Sequence, residues 1–184
     1  MRGLLHMPGS GRQTANGFTL IEAVVTIVLI GVLAMAVIPV IDSGVRTYAT
    51  TTNSLNALSK LRYATERMAR EIREVRRNPL TPTDFEMTLG ANTLIFTKIT
   101  DGNQVTISSS TPNVTLTYQT PAVSAVLTDL LNANTDLNFQ YYLADKTTPT
   151  VSLSQLAYVR ISLTLTDRDG AQVNQVTWVA LRNQ

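Results

Sequence analysis

Residues 18–41 read FTLIEAVVTIVLIGVLAMAVIPVI, an apolar run whose one charged residue is Glu22. The nineteen residues from Ala23 to Ile41 carry no charge. As a helix rising about 1.5 Å per residue they would extend roughly 29 Å, close to the thickness of the hydrocarbon core of a bilayer. The run therefore predicts a membrane-spanning helix. Pro39 lies inside this run, removes one backbone donor and predicts a kink or a locally loosened turn.

Residues 1–17, MRGLLHMPGSGRQTANG, are small and polar and contain Arg2 and Arg12 but no acid. A basic leader of this kind is expected to stay in the cytoplasm while the following segment crosses the membrane. An ordinary secretory signal is cut after its apolar region, and no small-residue site followed by a clear mature start stands there. Hydropathy alone leaves two interpretations, an uncleaved signal anchor or a cut before the apolar run, after Gly17.

The string Gly17-Phe18-Thr19-Leu20-Ile21-Glu22 resembles the prepilin peptidase site of type IV pilins and type II secretion pseudopilins. The resemblance implies cleavage after Gly17, methylation of the new N-terminal Phe18, and a glutamate five residues after the cut, which Glu22 provides. It implies a leader at 1–17, a transmembrane and assembly helix at 18–41, and a periplasmic domain at 42–184. Met7 is an alternative start that would shorten the leader to eleven residues.

Glu22 lies between Ile21 and Ala23 in an otherwise uncharged stretch. A carboxylate at the edge of a membrane-embedded run is costly unless it is paired or functional. One interpretation places it at the level of the lipid headgroups, where the cost is small. The resemblance implies a second, which its apolar neighbours favour: Glu22 pairs with the methylated amine of Phe18 on a neighbouring subunit during filament assembly.

The composition argues against catalysis. The chain has no cysteine, and its one histidine, His6, lies in the predicted leader. A mature chain without these residues has no Ser-His or Cys-His nucleophile and no cysteine zinc site, so we expect no enzyme, no cofactor and no metal site. Loss of the leader leaves 13 basic and 13 acidic residues. Because this balance is neutral, we expect no nucleic-acid partner.

Beyond Ile41 the pattern becomes amphipathic and predicts a helix over about 42–77, ended by Asn78-Pro79. Glu66–Arg70 and Arg70–Glu74 are spaced as i,i+4 ion pairs. Six arginines fall within sixteen residues, and they indicate either a solvated helix face or a contact surface for acidic groups of a neighbouring subunit: Arg62, Arg67, Arg70, Arg73, Arg76 and Arg77. The predicted apolar face consists of Leu55, Leu58, Leu61, Thr65, Met68, Ile72 and Val75.

The remainder, about 92–182, predicts an antiparallel sheet, because β-branched runs alternate with turn residues. The predicted strands are 93–99, 104–108, 114–119, 137–143, 157–166 and 173–181, and the segment 123–131 is either a short helix or a strand-like connection. The fold class is therefore α+β: a long N-terminal helix packed on an antiparallel sheet, as in pilins.

Two pairs of acidic residues are candidates for metal binding or acid–base chemistry. Asp167 and Asp169 precede Gly170, but a calcium loop needs more oxygen ligands and a distal glutamate, and a hairpin turn explains all three residues. Asp84 and Glu86 lie close in sequence without a nucleophilic or basic partner in view, so paired acid–base catalysis has no support.

The segments Leu61–Arg73 and Val159–Thr166, with the closing residues 179–183, are similar to the large minor pilins. That group includes pseudopilin J of type II secretion, PilW-type minor pilins and the O-type minor pilin of mannose-sensitive haemagglutinin pili. The resemblance implies a minor subunit that helps to initiate or cap a type IV pilus. The expected partners are the prepilin peptidase, other pilins or pseudopilins and the inner membrane, with a single pass and a periplasmic C-terminal domain. Alternatives are type II pseudopilin J and a membrane-anchored periplasmic binding module.

Overall fold

The computed structural model describes residues 17–181. The chain divides into two compact units, Met1–Thr47 and Tyr48–Gln184. Of the predicted leader, all but Gly17 lies outside the described residues, as do Arg182 and Asn183. The division into leader, membrane helix and periplasmic domain stays a prediction.

The first helix, α1, is α-helical from Leu20 to Ile72, a length of 53 residues. In the first unit its apolar side chains are exposed, and its length and composition are sufficient to cross a membrane. The helical assignment continues through Gly31 and Pro39. Proline lacks the N–H that would bond the carbonyl four residues earlier, here that of Met35. The kink expected at Pro39 for this reason stays a prediction.

Eight strands form two antiparallel sheets in the second unit. The first sheet has the order β1-β2-β3-β4-β5 and comprises Met87–Thr88, Thr93–Thr97, Gln104–Ser110, Asn113–Tyr118 and Val123–Thr128. The second has the order β6-β7-β8 and comprises Leu137–Tyr142, Tyr158–Thr166 and Gln172–Ala180. A short 3-10 helix, Asn134–Asp136, precedes β6.

One hydrophobic core joins the second-unit part of α1 to both sheets. Leu61 and Met68 of the helix are buried with Phe96 of the first sheet and Ile161 of the second. In β7 every second residue from Val159 to Leu165 is buried, because successive side chains of a strand point to opposite faces. The predicted α+β arrangement, a long N-terminal helix packed on antiparallel sheet, is confirmed.

The helix ends five residues before the predicted limit, at Ile72 instead of residue 77. The chain leaves the helix because the next residues form isolated β-bridges just outside the strands: Val75 bridges Lys98, and Arg77 bridges Phe85, both antiparallel. Tertiary pairing therefore overrides a helical pattern that continues in sequence. The ambiguous segment 123–131 contains strand β5, and the two-residue strand β1 was not predicted.

The buried face of α1 differs in part from the predicted one. Leu61, Thr65, Met68 and Ile72 are buried as expected, and Val75, beyond the helix end, is also buried. Leu55 and Leu58, which also belong to the predicted apolar face, are exposed. The helical pattern places Glu71 on the polar side of the helix, away from the apolar face. In the structure Glu71 is buried, with 3% of its surface exposed.

Candidate processing and assembly site

The predicted cut lies in an open part of the chain. Gly17, Phe18 and Thr19 precede the first residue of α1, have no helical assignment and are exposed. The Phe18 side chain is 84% exposed. An extended, accessible segment is what a peptidase needs in order to bind the backbone on both sides of the bond.

Among the described residues, 17–181, no contact requires a glycine at position 17. A Cβ atom built on Gly17 meets no atom within 4 Å, and its backbone is outside the left-handed region that favours glycine. A requirement for glycine here would therefore come from the enzyme that binds this segment.

Thr19 begins the helix, and this role was missed in the sequence. Its Oγ1 atom accepts a hydrogen bond from the N–H of Glu22 at 3.3 Å, and its carbonyl accepts one from the N–H of Ala23 at 3.1 Å. These are the bonds of an N-cap residue. The spacing Thr19-x-x-Glu22 before an apolar run is the sequence signature that could have identified it.

Glu22 lies in the first turn of α1, and its side chain is exposed. Within residues 17–181 its carboxylate has no hydrogen bond or ion pair. A negative charge at a helix N-terminus stabilises the helix by about 0.3–1 kcal/mol, through the aligned peptide dipoles. The carboxylate is thus one turn from Phe18 and open to a group on another molecule.

Residues 12–38 match the prokaryotic N-terminal methylation motif. The match includes Gly17, Phe18, Glu22 and most of the apolar run. It supports a type IV pilin-like protein, which implies processing by prepilin peptidase and assembly with other pilins. It points to a structural subunit instead of an enzyme, and together with the apolar helix it indicates a membrane-anchored protein. No curated protein matches the chain.

The arginines between residues 62 and 77 fall into two groups. Arg67 pairs with Glu71 at 2.9 Å, Arg76 pairs with Glu86, and Arg77 donates to a backbone carbonyl. The other three are exposed and have no ion pair or hydrogen bond within the described part of the chain: Arg62, Arg70 and Arg73. Half of the cluster is therefore available to a partner.

The predicted i,i+4 pairs of Arg70 are wrong. Glu74 turns instead to Lys98, with Nζ to Oε2 at 2.8 Å, and to the hydroxyl of Thr100. Glu66 is exposed and, between residues 17 and 181, has no partner. The helical spacing predicts that both glutamates pair with Arg70. In the structure Glu74 pairs instead with Lys98, which directly follows β2.

A buried ionic network ties α1 to the first sheet. Glu71 receives Arg67 at 2.9 Å, Lys98 at 3.2 Å and the Tyr118 hydroxyl at 2.8 Å. Burial and the Glu71 carboxylate raise the pKa of Tyr118. For Lys98, burial opposes the charged form, but Glu74 and Glu71 together raise its pKa. The network thus contains two carboxylates, Glu71 and Glu74, and two cations, Arg67 and Lys98, so its charges balance.

Asp167 and Asp169 serve the β7–β8 turn and its contact with the helix. Asp167 accepts backbone N–H groups from Asp169 and Ala171, both at 2.9 Å, and a hydroxyl from Ser54 at 2.8 Å. Asn53 donates to Asp169 at 2.9 Å. Across residues 17–181, no three His, Cys, Asp or Glu side chains are placed to hold a metal ion.

Several carboxylates with lowered pKa values make stability depend on acid pH, and Glu86 and Glu74 are two of them. The pKa of Glu86 is lowered, first by its hydrogen bond from Arg76, and the pKa of Glu74 is lowered, first by its hydrogen bond from Lys98. A carboxyl group with a depressed folded-state pKa adds stability above its unfolded pKa, about 4.3, and loses it as pH falls through the folded value. We expect the melting temperature of the full chain in mild detergent to be steady from about pH 7 to 5 and to fall below about pH 4.5.

Circular dichroism melts across this range measure the effect. Glu86→Gln should flatten the acid limb of the profile, whereas Glu66→Gln, which removes an unpaired exposed carboxylate, should leave the limb unchanged. Equal profiles for all three proteins would contradict this assignment.

Proposed function

We propose that the chain is a minor pilin. In this proposal a prepilin peptidase cuts between Gly17 and Phe18, the amine of Phe18 is methylated, and the mature subunit helps to initiate or cap a type IV pilus, of the mannose-sensitive haemagglutinin kind. The observation that carries the proposal is the match of residues 12–38 to the methylation motif. The proposed cut after Gly17 lies in an exposed segment directly before α1.

Two features favour a minor over a major subunit. Major pilins usually close a C-terminal loop with a disulfide, and this chain contains no cysteine. The segment Leu61–Arg73 also resembles the large minor pilins. Pseudopilin J of type II secretion shares these features, so the pilus assignment is tested by function: loss of the subunit should reduce surface piliation and leave secretion of exoproteins intact.

The exposed apolar side chains of residues 20–41 would lie in the inner membrane before assembly and against other subunits afterwards. The basic leader would hold the N-terminus in the cytoplasm, where Gly17 meets the peptidase, and the second unit would lie in the periplasm. Cleavage leaves the positive amine of Phe18 close to the first turn of α1. There it can meet the carboxylate of Glu22 on a neighbouring subunit.

Cleavage after Gly17 and methylation of Phe18 can be detected directly at the N-terminus of the mature protein. Mass spectrometry of the protein extracted from membranes of cells with an active prepilin peptidase should show an N-terminal methylated Phe18. Gly17→Glu should leave the precursor uncut, because a long charged side chain replaces hydrogen where the enzyme binds the backbone.

Gly44→Glu is the matched control. Gly44 lies in the same unit, and a Cβ atom built there also meets nothing within 4 Å. This variant should be cut like the wild type. An intact N-terminus on the wild-type chain would show that the protein is an uncleaved anchor.

A further inference from the structure

Strand β8 forms an open edge of the second sheet. Its nine residues, Gln172–Ala180, pair with β7 on one side, and β8 is last in the order β6-β7-β8. Among residues 17–181 no backbone group of β8 bonds to any other segment. A row of N–H and C=O groups therefore points away from the sheet. Such a row is a template for pairing with another chain.

The sequence of β8 has none of the features that usually protect an edge. QVNQVTWVA contains no charge and no proline. Its pairing with β7 runs in continuous register from Gln172 to Ala180, without a bulge. Natural edge strands are commonly short, bulged or interrupted by lysine or proline. A long regular edge is therefore a surface that is able to receive a partner strand.

The inner side of this edge borders a groove between β8 and α1. Two of the unpaired arginines line it, together with one carboxylate, so the groove carries an excess of positive charge. Its walls are Glu66, Ala69, Arg70 and Arg73 from the helix and Gln175 and Thr177 from the strand. A side chain that enters beside Gln175 or Thr177 would meet guanidinium groups, which bind carboxylates in a bidentate geometry.

The outer side of the same edge carries two large apolar side chains, with the Arg160 guanidinium 5.8 Å from the ring of Trp178. Val176 and Trp178 are on the opposite face of β8 and remain 40% and 38% exposed. The Trp178 ring packs on Tyr142, with centroids 4.9 Å apart. Trp and Tyr are enriched among residues that dominate binding energy at interfaces. An added strand would therefore fit best with acidic side chains on the groove side of β8 and apolar side chains on the outer side, at alternate positions.

We propose that β8 binds an extended acidic segment of a neighbouring filament subunit by strand addition. The incoming strand would bond to the open backbone edge, direct its carboxylates into the groove at Arg70 and Arg73, and lay apolar side chains beside Val176 and Trp178. Backbone bonds supply affinity and alternate side chains supply specificity in this mode. The identity of the donor as a filament subunit rests on the proposed function, whereas the binding chemistry does not.

Trp178 reports on the binding because it is the only tryptophan of the chain. The full chain in mild detergent is titrated with a capped seven-residue peptide in which valine and glutamate alternate. We expect a saturable blue shift of the emission, since the bound strand removes water from the indole. A peptide in which lysine replaces glutamate, and a glutamate peptide with alternate backbone amides N-methylated, should each bind at least about tenfold more weakly.

Variants of the groove separate charge recognition from general apolar binding. Arg70→Ala/Arg73→Ala should raise the Kd for the glutamate peptide about tenfold or more, and Glu66→Gln should lower it, because a repelling carboxylate is removed. Arg62→Ala is the matched control: Arg62 is equally unpaired on the same helix and does not line the groove. Its Kd should stay within about twofold of the wild type.

The proposal would be overturned if the glutamate peptide caused no blue shift of the Trp178 emission, or if the lysine or N-methylated peptide caused an equal shift. A shift that depends on protein concentration without peptide would assign the edge to a second copy of this chain, and would also overturn it. Failure here leaves cleavage at Gly17 and co-purification with pilins unaffected. Failure of those tests with intact peptide binding would reject the filament role alone.

Discussion

Glu71→Ala is expected to lower the free energy of unfolding by about 2–4 kcal/mol, a large fraction of the total for a domain of this size. The Glu71 carboxylate is buried and receives Arg67, Lys98 and Tyr118. Its removal leaves Lys98, whose side chain is 13% exposed, with Glu74 as its remaining ion-pair partner. It also leaves the part-buried Tyr118 hydroxyl without its acceptor and a small void beside the helix.

The expected cost lies below that of a fully buried ion pair, because two partners keep alternatives. Arg67 is one-third exposed and can turn to water, and Lys98 retains Glu74 at 2.8 Å. Removing one member of a fully buried pair costs about 3–5 kcal/mol. Thermal and denaturant unfolding of the full chain in mild detergent, followed by circular dichroism, measure the difference.

Glu66→Ala is the control for this experiment. Glu66 lies on the same helix, is exposed and has no partner among the described residues, so the substitution changes helix propensity by the same amount but breaks no network. We expect its effect to stay within about 0.5 kcal/mol. Tyr118→Phe removes one hydroxyl and should cost about 1 kcal/mol. Equal effects of Glu71→Ala and Glu66→Ala would show that the network contributes nothing.

Glu71 also shows where sequence reasoning stops. Helical periodicity correctly gave Leu61, Met68 and Ile72 as buried, because the apolar stripe repeats every three or four residues. The same reasoning assigns every glutamate to the wet face. It cannot predict that Lys98, which directly follows β2, and Tyr118 of β4 both contact Glu71, since those contacts depend on strand order and register.

Glu71 is a polar residue that is buried, whereas Leu55 and Leu58 are apolar residues that are exposed. Leu55 and Leu58 have the spacing of core residues, but the buried positions of α1 begin at Ala57 and continue on a different stripe. An apolar side chain on a helix indicates burial against some partner, and the partner need not belong to the same chain. The strands were easier to predict, because alternation and turn residues such as Gly102 and Gly170, both with positive φ, mark each one locally.

The candidate site was predictable because its evidence is local. The basic leader, the string from Gly17 to Glu22 and the apolar run are all adjacent in sequence, and the motif match at residues 12–38 covers the string, the end of the leader and most of the apolar run. The part that was missed, the N-cap at Thr19, is equally local, and its Thr-x-x-Glu signature was present. The proposed partner of Glu22 is the amine of Phe18 on another subunit, which a single chain does not contain, so the role of Glu22 is decided by experiment.

Two roles for Glu22 make opposite predictions. As a helix-terminal acid it stabilises the first turn of α1 by about 0.3–1 kcal/mol. As an assembly residue it pairs with the amine of Phe18 on a neighbouring subunit, inside an apolar surround. Loss of one member of such a pair leaves the other charge buried and unpaired, at a cost of about 3–5 kcal/mol. That corresponds to roughly a hundredfold to several thousandfold in association.

Under the assembly role, Glu22→Ala should be cut, methylated and inserted like the wild type but should fail to join its partner subunits. The measurement is co-purification of the full-length protein with neighbouring pilins at equal expression, with the mature N-terminus checked by mass spectrometry. We expect recovered pilin to fall at least about a hundredfold, with reduced piliation in parallel.

Thr19→Ala separates the two roles. It removes the Oγ1 acceptor that caps the N–H of Glu22, at a cost of about 1 kcal/mol to the helix terminus, but keeps the carboxylate. If Glu22 acts by stabilising the first turn, the two variants should impair assembly to a similar and small degree. If it pairs across subunits, Glu22→Ala should be far worse than Thr19→Ala, because a charged partner is stranded in one case and a single cap is lost in the other. Unchanged co-purification of Glu22→Ala would remove the pairing role and leave the carboxylate as a helix-terminal charge.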